Sequence, residues 1–150
     1  MNRLILTIVL VTFFCTGYAQ VQDPVHWQFS SKKIGDKLYE VHFTAEIDAP
    51  WHIYSRDNNE NLTQPTIFDF NKNPLLNVTG NAKEIGKLQK ETVSETTVKY
   101  YEDQVDFVQI VKLKAAVKTT IAGRLNYMAC TGGRCLPPVE RRFSVSVGGE

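Results

Sequence analysis

The sequence is poor in cysteine, almost without net charge, and free of long apolar runs once its first twenty residues are passed. Only three cysteines occur among 150 residues: Cys15, Cys130 and Cys135. Seventeen lysines and arginines stand against 16 aspartates and glutamates, a formal charge of +1 with both signs scattered along the chain. That balance leaves no electrostatic case for nucleic acid or an anionic membrane as a partner. The histidines, His26, His42 and His52, are isolated from one another, so no paired set of metal ligands stands out. No window carries a sustained helical period with caps. Nor is there an internal repeat, a low-complexity tract or a linker before Gly148-Gly149. A chain of this length fits one domain whose core could stand without a disulfide.

The one long apolar run lies in MNRLILTIVLVTFFCTGYAQ, residues 1–20. Arg3 supplies a positive start, and Gly17-Tyr18-Ala19 offers small residues at the positions a signal peptidase inspects. The run is shorter than the roughly 20 apolar residues that span a bilayer. It reads as a secretory signal over residues 1–19, with the domain at 20–150. Phe14, rather than a small residue, precedes Cys15, which suits plain cleavage better than lipid attachment. Cleavage would remove Arg3 and no acid, leaving 16 basic against 16 acidic residues. Export would also let Cys130 and Cys135 oxidise.

The rest of the sequence is written in period two. In LYEVHFTAEI (residues 38–47), Tyr39, Val41, Phe43, Ala45 and Ile47 share one face, and Glu40, His42, Thr44 and Glu46 share the other. VERRFSVSV (139–147) repeats the pattern with Phe143, Val145 and Val147 inward. Residues 105–115 and 120–130 read as strands with less clean alternation. Shorter candidates are 27–30, 51–55, 66–71 and 98–101. Turn signals separate them, among them Asp48-Ala49-Pro50, Asn71-Lys72-Asn73-Pro74 and Gly80-Asn81. Seven or eight short strands of this kind predict an all-β protein, an immunoglobulin-like antiparallel β-sandwich.

Chemistry is concentrated in YMACTGGRCLPP, residues 127–138. Within 120–130, Ile121, Leu125, Tyr127 and Ala129 share one parity. Cys130 has the other, so it is expected to point away from the main core. Both cysteines then fall at one end of the sandwich, in or beside the connection to the last strand. Gly132 and Gly133 are expected to permit a tight turn and to leave little bulk over the sulfurs. Arg134 would favour a thiolate on its neighbour Cys135. Pro137 and Pro138 remove two backbone donors and stiffen the exit. Closing a loop of about six residues stabilises a fold by only about 2 kcal/mol, a weak staple. Three readings stay open on these residues: a structural disulfide, an exchanging pair, and half of a zinc site.

This motif, together with WHIYS at residues 51–55, resembles the N-terminal periplasmic domain family of the thiol:disulfide interchange protein DsbD. The resemblance runs over about residues 25–147. It implies an immunoglobulin-like sandwich in the periplasm that relays reducing equivalents from a membrane or thioredoxin-like donor to disulfide isomerases and related thioredoxin-fold proteins. It implies Cys130 and Cys135 as the exchanging pair, with Cys135 forming the mixed disulfide and Cys130 resolving it. Neither step calls for a cofactor or metal. Tyr54, with His52 and Trp51, matches an aromatic segment beside the disulfide, and Arg134 and Pro137 support the pair.

Two departures accompany the match. Residues 87–103 contain no phenylalanine to shield the disulfide, which leaves Tyr100, Tyr101 or Val93 for that part. The family continues into membrane and thioredoxin-like domains, so this sequence is expected to be a standalone module with a separate membrane electron carrier, or a piece of a longer protein. The rival is a secreted β-sandwich binding module with a fixed disulfide. Asn61-Leu62-Thr63 and Asn77-Val78-Thr79 read as glycosylation acceptors that would suit it.

Overall fold

A computed structural model describes residues 23–60, 63–93 and 95–149. The expected signal segment and the first two residues of Asn61-Leu62-Thr63 lie outside them. The described chain is built from ten strands and no helix: β1 (Val25–Gly35), β2 (Leu38–Ile47), β3 (His52–Tyr54), β4 (Ile67–Phe70), β5 (Leu76–Val93), β6 (Thr96–Leu113), β7 (Thr119–Tyr127), β8 (Ala129–Thr131), β9 (Arg134–Cys135) and β10 (Val139–Val147). They form an antiparallel immunoglobulin-like sandwich. A three-stranded sheet, β10-β7-β4, faces a seven-stranded sheet ordered β1-β2-β6-β3-β8-β9, with β5 also paired to β6.

Period-two patterning places the core. Tyr39, Val41, Phe43, Ala45 and Ile47 are all buried, as are Phe143, Val145 and Val147. Phe43 packs its ring 4.8 Å from both Phe68 and Phe143, and Phe107 lies 5.2 Å from Phe68. These contacts tie the two sheets together through apolar area removed from water. Close approach has its own requirement at Gly123 in β7, where a Cβ would lie 2.2 Å from the Asp69 carbonyl oxygen and 2.7 Å from Phe143.

The strand expectations need three corrections. The candidates at 98–101 and 105–115 are one strand, β6, and Asp103 at φ 60° marks the passage from pairing with β3 to pairing with β2. β5 was not expected at all. Most of its residues are exposed, so it shows no apolar alternation and is held by its ladder to β6. Gly80-Asn81, read as a turn, lies inside β5, in an irregular register where Gln109 donates to the Thr79 and Gly80 carbonyls. Residues 120–130 do not run as a single strand. β7 ends at Tyr127 and β8 begins at Ala129 in the opposite sheet.

That crossing positions the cysteines. Tyr127 pairs with Val139 in the small sheet, and the intervening chain leaves it to form a hairpin on the edge of the large one. Tyr127 anchors the departure. It is fully buried, its hydroxyl donates to Asp23 Oδ1 at 2.9 Å, and Asp23 also pairs with Arg141. Burial, with the Asp23 carboxylate beside it, pushes the Tyr127 hydroxyl up to about 12. Leu136 N–H still donates to the Ala129 carbonyl, and Pro137 and Pro138, which have no N–H, carry the chain back to β10.

Candidate functional site

β8 and β9 form a hairpin around Gly132 and Gly133, with Thr131 opposite Arg134 and Cys130 opposite Cys135. The two cysteines are bonded to each other, their Cα atoms 4.0 Å apart. Residues directly opposite in an antiparallel ladder point to the same face. Cys130 also lies opposite His52 of β3, so His52, Cys130 and Cys135 form one row on the outer face of the large sheet. The next row pairs Tyr54 with Tyr100, and Val98 pairs with Glu91 beyond it.

The expected parity holds across the sheet switch. Ala129 joins the main core and Cys130 does not, yet Cys130 is only 1% exposed. Val98, at 6%, is likewise buried outside that core. Buried residues therefore lie on the outer face at this end of the sheet as well. Cys135, at the edge, is exposed. The bridge thus joins one enclosed sulfur-bearing residue to one that solvent reaches.

Beside it lies a cavity of about 210 Å³ lined in part by His52, Tyr54, Val98, Tyr100, Thr131 and Gly132. The His52 ring sits 4.7 Å from Tyr100 and 5.4 Å from Tyr54. Burial lowers the His52 pKa below its ordinary 6.5, outweighing Glu102 and Glu91, which pull it up. Burial, then Glu91, raises that of Tyr54. Of the residues that could stand in for a shielding phenylalanine, Tyr100 and Val93 line this cavity. Tyr101 points into the main core and donates to Glu84 at 2.7 Å.

Glu84 was not singled out from the sequence. It also accepts from the Ser55 hydroxyl at 2.8 Å and the Arg56 N–H at 2.7 Å, fixing the chain just after Tyr54. Thr66 helps by donating to the Tyr54 carbonyl at 2.7 Å. Glu91 was missed too, because it lies on the unexpected β5, and Val98, inside the strand expected at 98–101, was not read as part of the site.

Two expectations about the motif change. Neither Gly132 nor Gly133 takes a left-handed backbone, and a Cβ on either meets nothing within 4 Å. The turn does not demand glycine; the pair simply leaves the hairpin tip bare. Arg134 points to the face opposite its neighbour Cys135, and its guanidinium lies 5.4 Å over the Trp51 ring. Trp51 is a core residue, 5% exposed, and it underlies the hairpin through this contact. His42, on the polar face of β2, is held by Asp106 at 2.7 Å. Among the described residues no three His, Cys, Asp or Glu side chains converge as a metal set would.

The fold and the bridged edge hairpin define a class: a two-sheet immunoglobulin-like domain carrying a disulfide at the rim of its larger sheet. Among solved structures, that fold is the one of the DsbD N-terminal domain. The Neisseria meningitidis DsbD N-terminal domain in its reduced form matches with TM-score 0.52 at 17% identity, over 89% of this chain and 96% of that one. The complex between the DsbD and PilB N-terminal domains of the same organism contains a match with TM-score 0.51 at 16% identity, over 83% and 87%. The N-terminal periplasmic domain of ScsB from Proteus mirabilis matches with TM-score 0.56 at 12% identity, over 87% of this chain. This chain spans about half the length of that ScsB domain, 49%. At such identities the shared property is the fold. No protein-family model matches the sequence, and no curated protein matches it.

Proposed function

We infer that the protein is a periplasmic thiol–disulfide exchange domain that passes reducing equivalents between thioredoxin-fold proteins through Cys130 and Cys135. The observation that carries this reading is the asymmetry of the bridge, with Cys135 exposed on an edge strand and Cys130 buried behind it. Likeness in fold to a DsbD domain seen in complex with a PilB domain supports it. A thiolate of the donor attacks Cys135 Sγ, the only approachable side. The Cys130–Cys135 bond breaks, and its electron pair leaves on Cys130 Sγ. The donor's second thiol, as a thiolate, then attacks the donor sulfur of the mixed disulfide. The donor leaves oxidised and both cysteines remain reduced. Acceptor reduction runs the same steps backward, with Cys130 as the resolving thiol. A separate membrane electron carrier would recharge the donor.

The reduction potential tests this first, by equilibrating the purified domain in thiol buffers and counting alkylated cysteines by mass. Structural disulfides in secreted proteins lie below about −300 mV, and exchanging ones lie higher. A potential above that limit, with reduction by a thioredoxin, supports exchange. A potential below it, with thioredoxin unable to open the bridge, makes the pair a staple of a binding module. The order of attack is tested by Cys130→Ser and Cys135→Ser. The first should accumulate a mixed disulfide with thioredoxin and the second should not; the reverse pattern overturns the assignment.

A further inference from the structure

We propose that His52 is the general base that takes the proton from Cys130 when that buried thiol resolves a mixed disulfide on Cys135. The inference rests on the exchange reading. Cys130 is enclosed, and burial disfavours the charged thiolate, holding a thiol in its unreactive protonated form. A resolving thiol in that position needs a base beside it. His52 occupies the cross-strand position directly opposite Cys130, on the same face. Side chains so paired have Cβ atoms about 5 Å apart, close enough for an imidazole to reach a thiol.

The three histidines divide sharply by partner. His26 holds Asp48 at 3.0 Å and His42 holds Asp106 at 2.7 Å. The ring nitrogens of His52 make no hydrogen bond among the described residues; its contacts are the rings of Tyr54 and Tyr100. The one histidine without a carboxylate partner is the one in register with the cysteine. Titratable groups acting on it from the neighbouring strands are Glu91 of β5 and Glu102 of β6, with Tyr54 on its own strand and Tyr100 on β6. Burial outweighs the two glutamates and favours the free base over the charged ring.

In the step, the Cys130 Sγ proton passes to a ring nitrogen of His52. The thiolate electron pair attacks Cys135 Sγ and the Cys130–Cys135 bond forms. The bond from Cys135 to the partner breaks, and its electrons leave on the partner sulfur, which takes a proton from water. The two cysteines are oxidised and the partner disulfide is reduced. His52 then returns its proton to solvent.

The reduced protein reacted with the symmetrical disulfide of thionitrobenzoate separates the two events. Attack by Cys135 releases one coloured thiolate in a second-order phase. Resolution by Cys130 releases another in a first-order phase. His52→Gln should slow the first-order phase by about tenfold to a hundredfold at neutral pH. It should leave the second-order phase within about twofold. In the wild type the first-order rate should flatten above the His52 pKa. In the variant it should keep climbing about tenfold per pH unit toward the thiol pKa. Matching first-order pH profiles in both proteins overturn the proposal while leaving the exchange reading intact. Release of only one thiolate per reduced wild-type molecule, with no resolution by Cys130, overturns the exchange reading and the proposal with it. Should the variant not fold, the His52 ring is titrated by NMR in the oxidised and reduced wild type. A pKa that differs between the two redox states supports the coupling, and identical titrations overturn it.

Discussion

The large sheet buries residues on both of its faces, and it does so on different terms. On the inner face, Phe43, Phe68, Phe107 and Phe143 pack ring against ring, enclosed by a second sheet. On the outer face, Cys130 and Val98 are as well buried but lie apart from that core, beside half-buried polar rings and a cavity. Neighbouring residues on one strand serve both faces: Ala129 belongs to the core, and Cys130 is buried outside it. Close packing on both sides gives the inner face its stability. The outer face has a thinner cover that includes titratable groups, and one edge of it stays open.

Four measurements would break or sharpen that contrast. The largest effect is expected from Phe43→Ala, which empties the centre of the inner cluster. It should cost about 3–5 kcal/mol in denaturant unfolding while leaving the reduction potential of the folded protein nearly unchanged. Replacing both Cys130 and Cys135 with alanine should cost only about 2 kcal/mol, since the closed loop is short. A loss as large as that for Phe43→Ala would mean the bridge is structural after all.

Tyr127→Phe removes the hydroxyl that donates to Asp23 where the chain leaves the small sheet. It should cost about 1–2 kcal/mol. The folded protein holds that hydroxyl protonated to about 12, whereas the unfolded chain releases the proton near 10. The native state therefore binds more protons in this window, and stability falls as pH rises through it. The variant should show a shallower alkaline decline in thermal melts. Smallest of all, Gly133→Ala should change stability by less than about 0.5 kcal/mol, since its Cβ meets nothing. It should still slow reduction by a thioredoxin if the bare tip is where partners approach. An unchanged rate would show that bulk at the tip is irrelevant.

Much of this was legible beforehand. Alternation in residues 38–47 and 139–147 named the inner faces correctly, and the parity of residues 120–130 kept Cys130 out of the main core. The illegible parts share a cause. β5 is an exposed strand, ordered by backbone pairing to β6, and such pairing leaves no apolar rhythm to read. Glu84 and Glu91 were hidden with it. Arg134 looked like a neighbour of Cys135 because it is adjacent in sequence, whereas strand geometry turns it onto Trp51.

By itself, the sequence determined the all-β class, the inward residues of its clearest strands and the close spacing of the two cysteines. These follow from the two-residue period of an extended backbone, which is local. Only the tertiary structure decided that the cysteine hairpin leaves β7 for the opposite sheet, that one cysteine is enclosed and the other open, and that His52 stands opposite Cys130. Those facts depend on register between strands distant in the chain, which is set by how both faces of a sheet are covered at once.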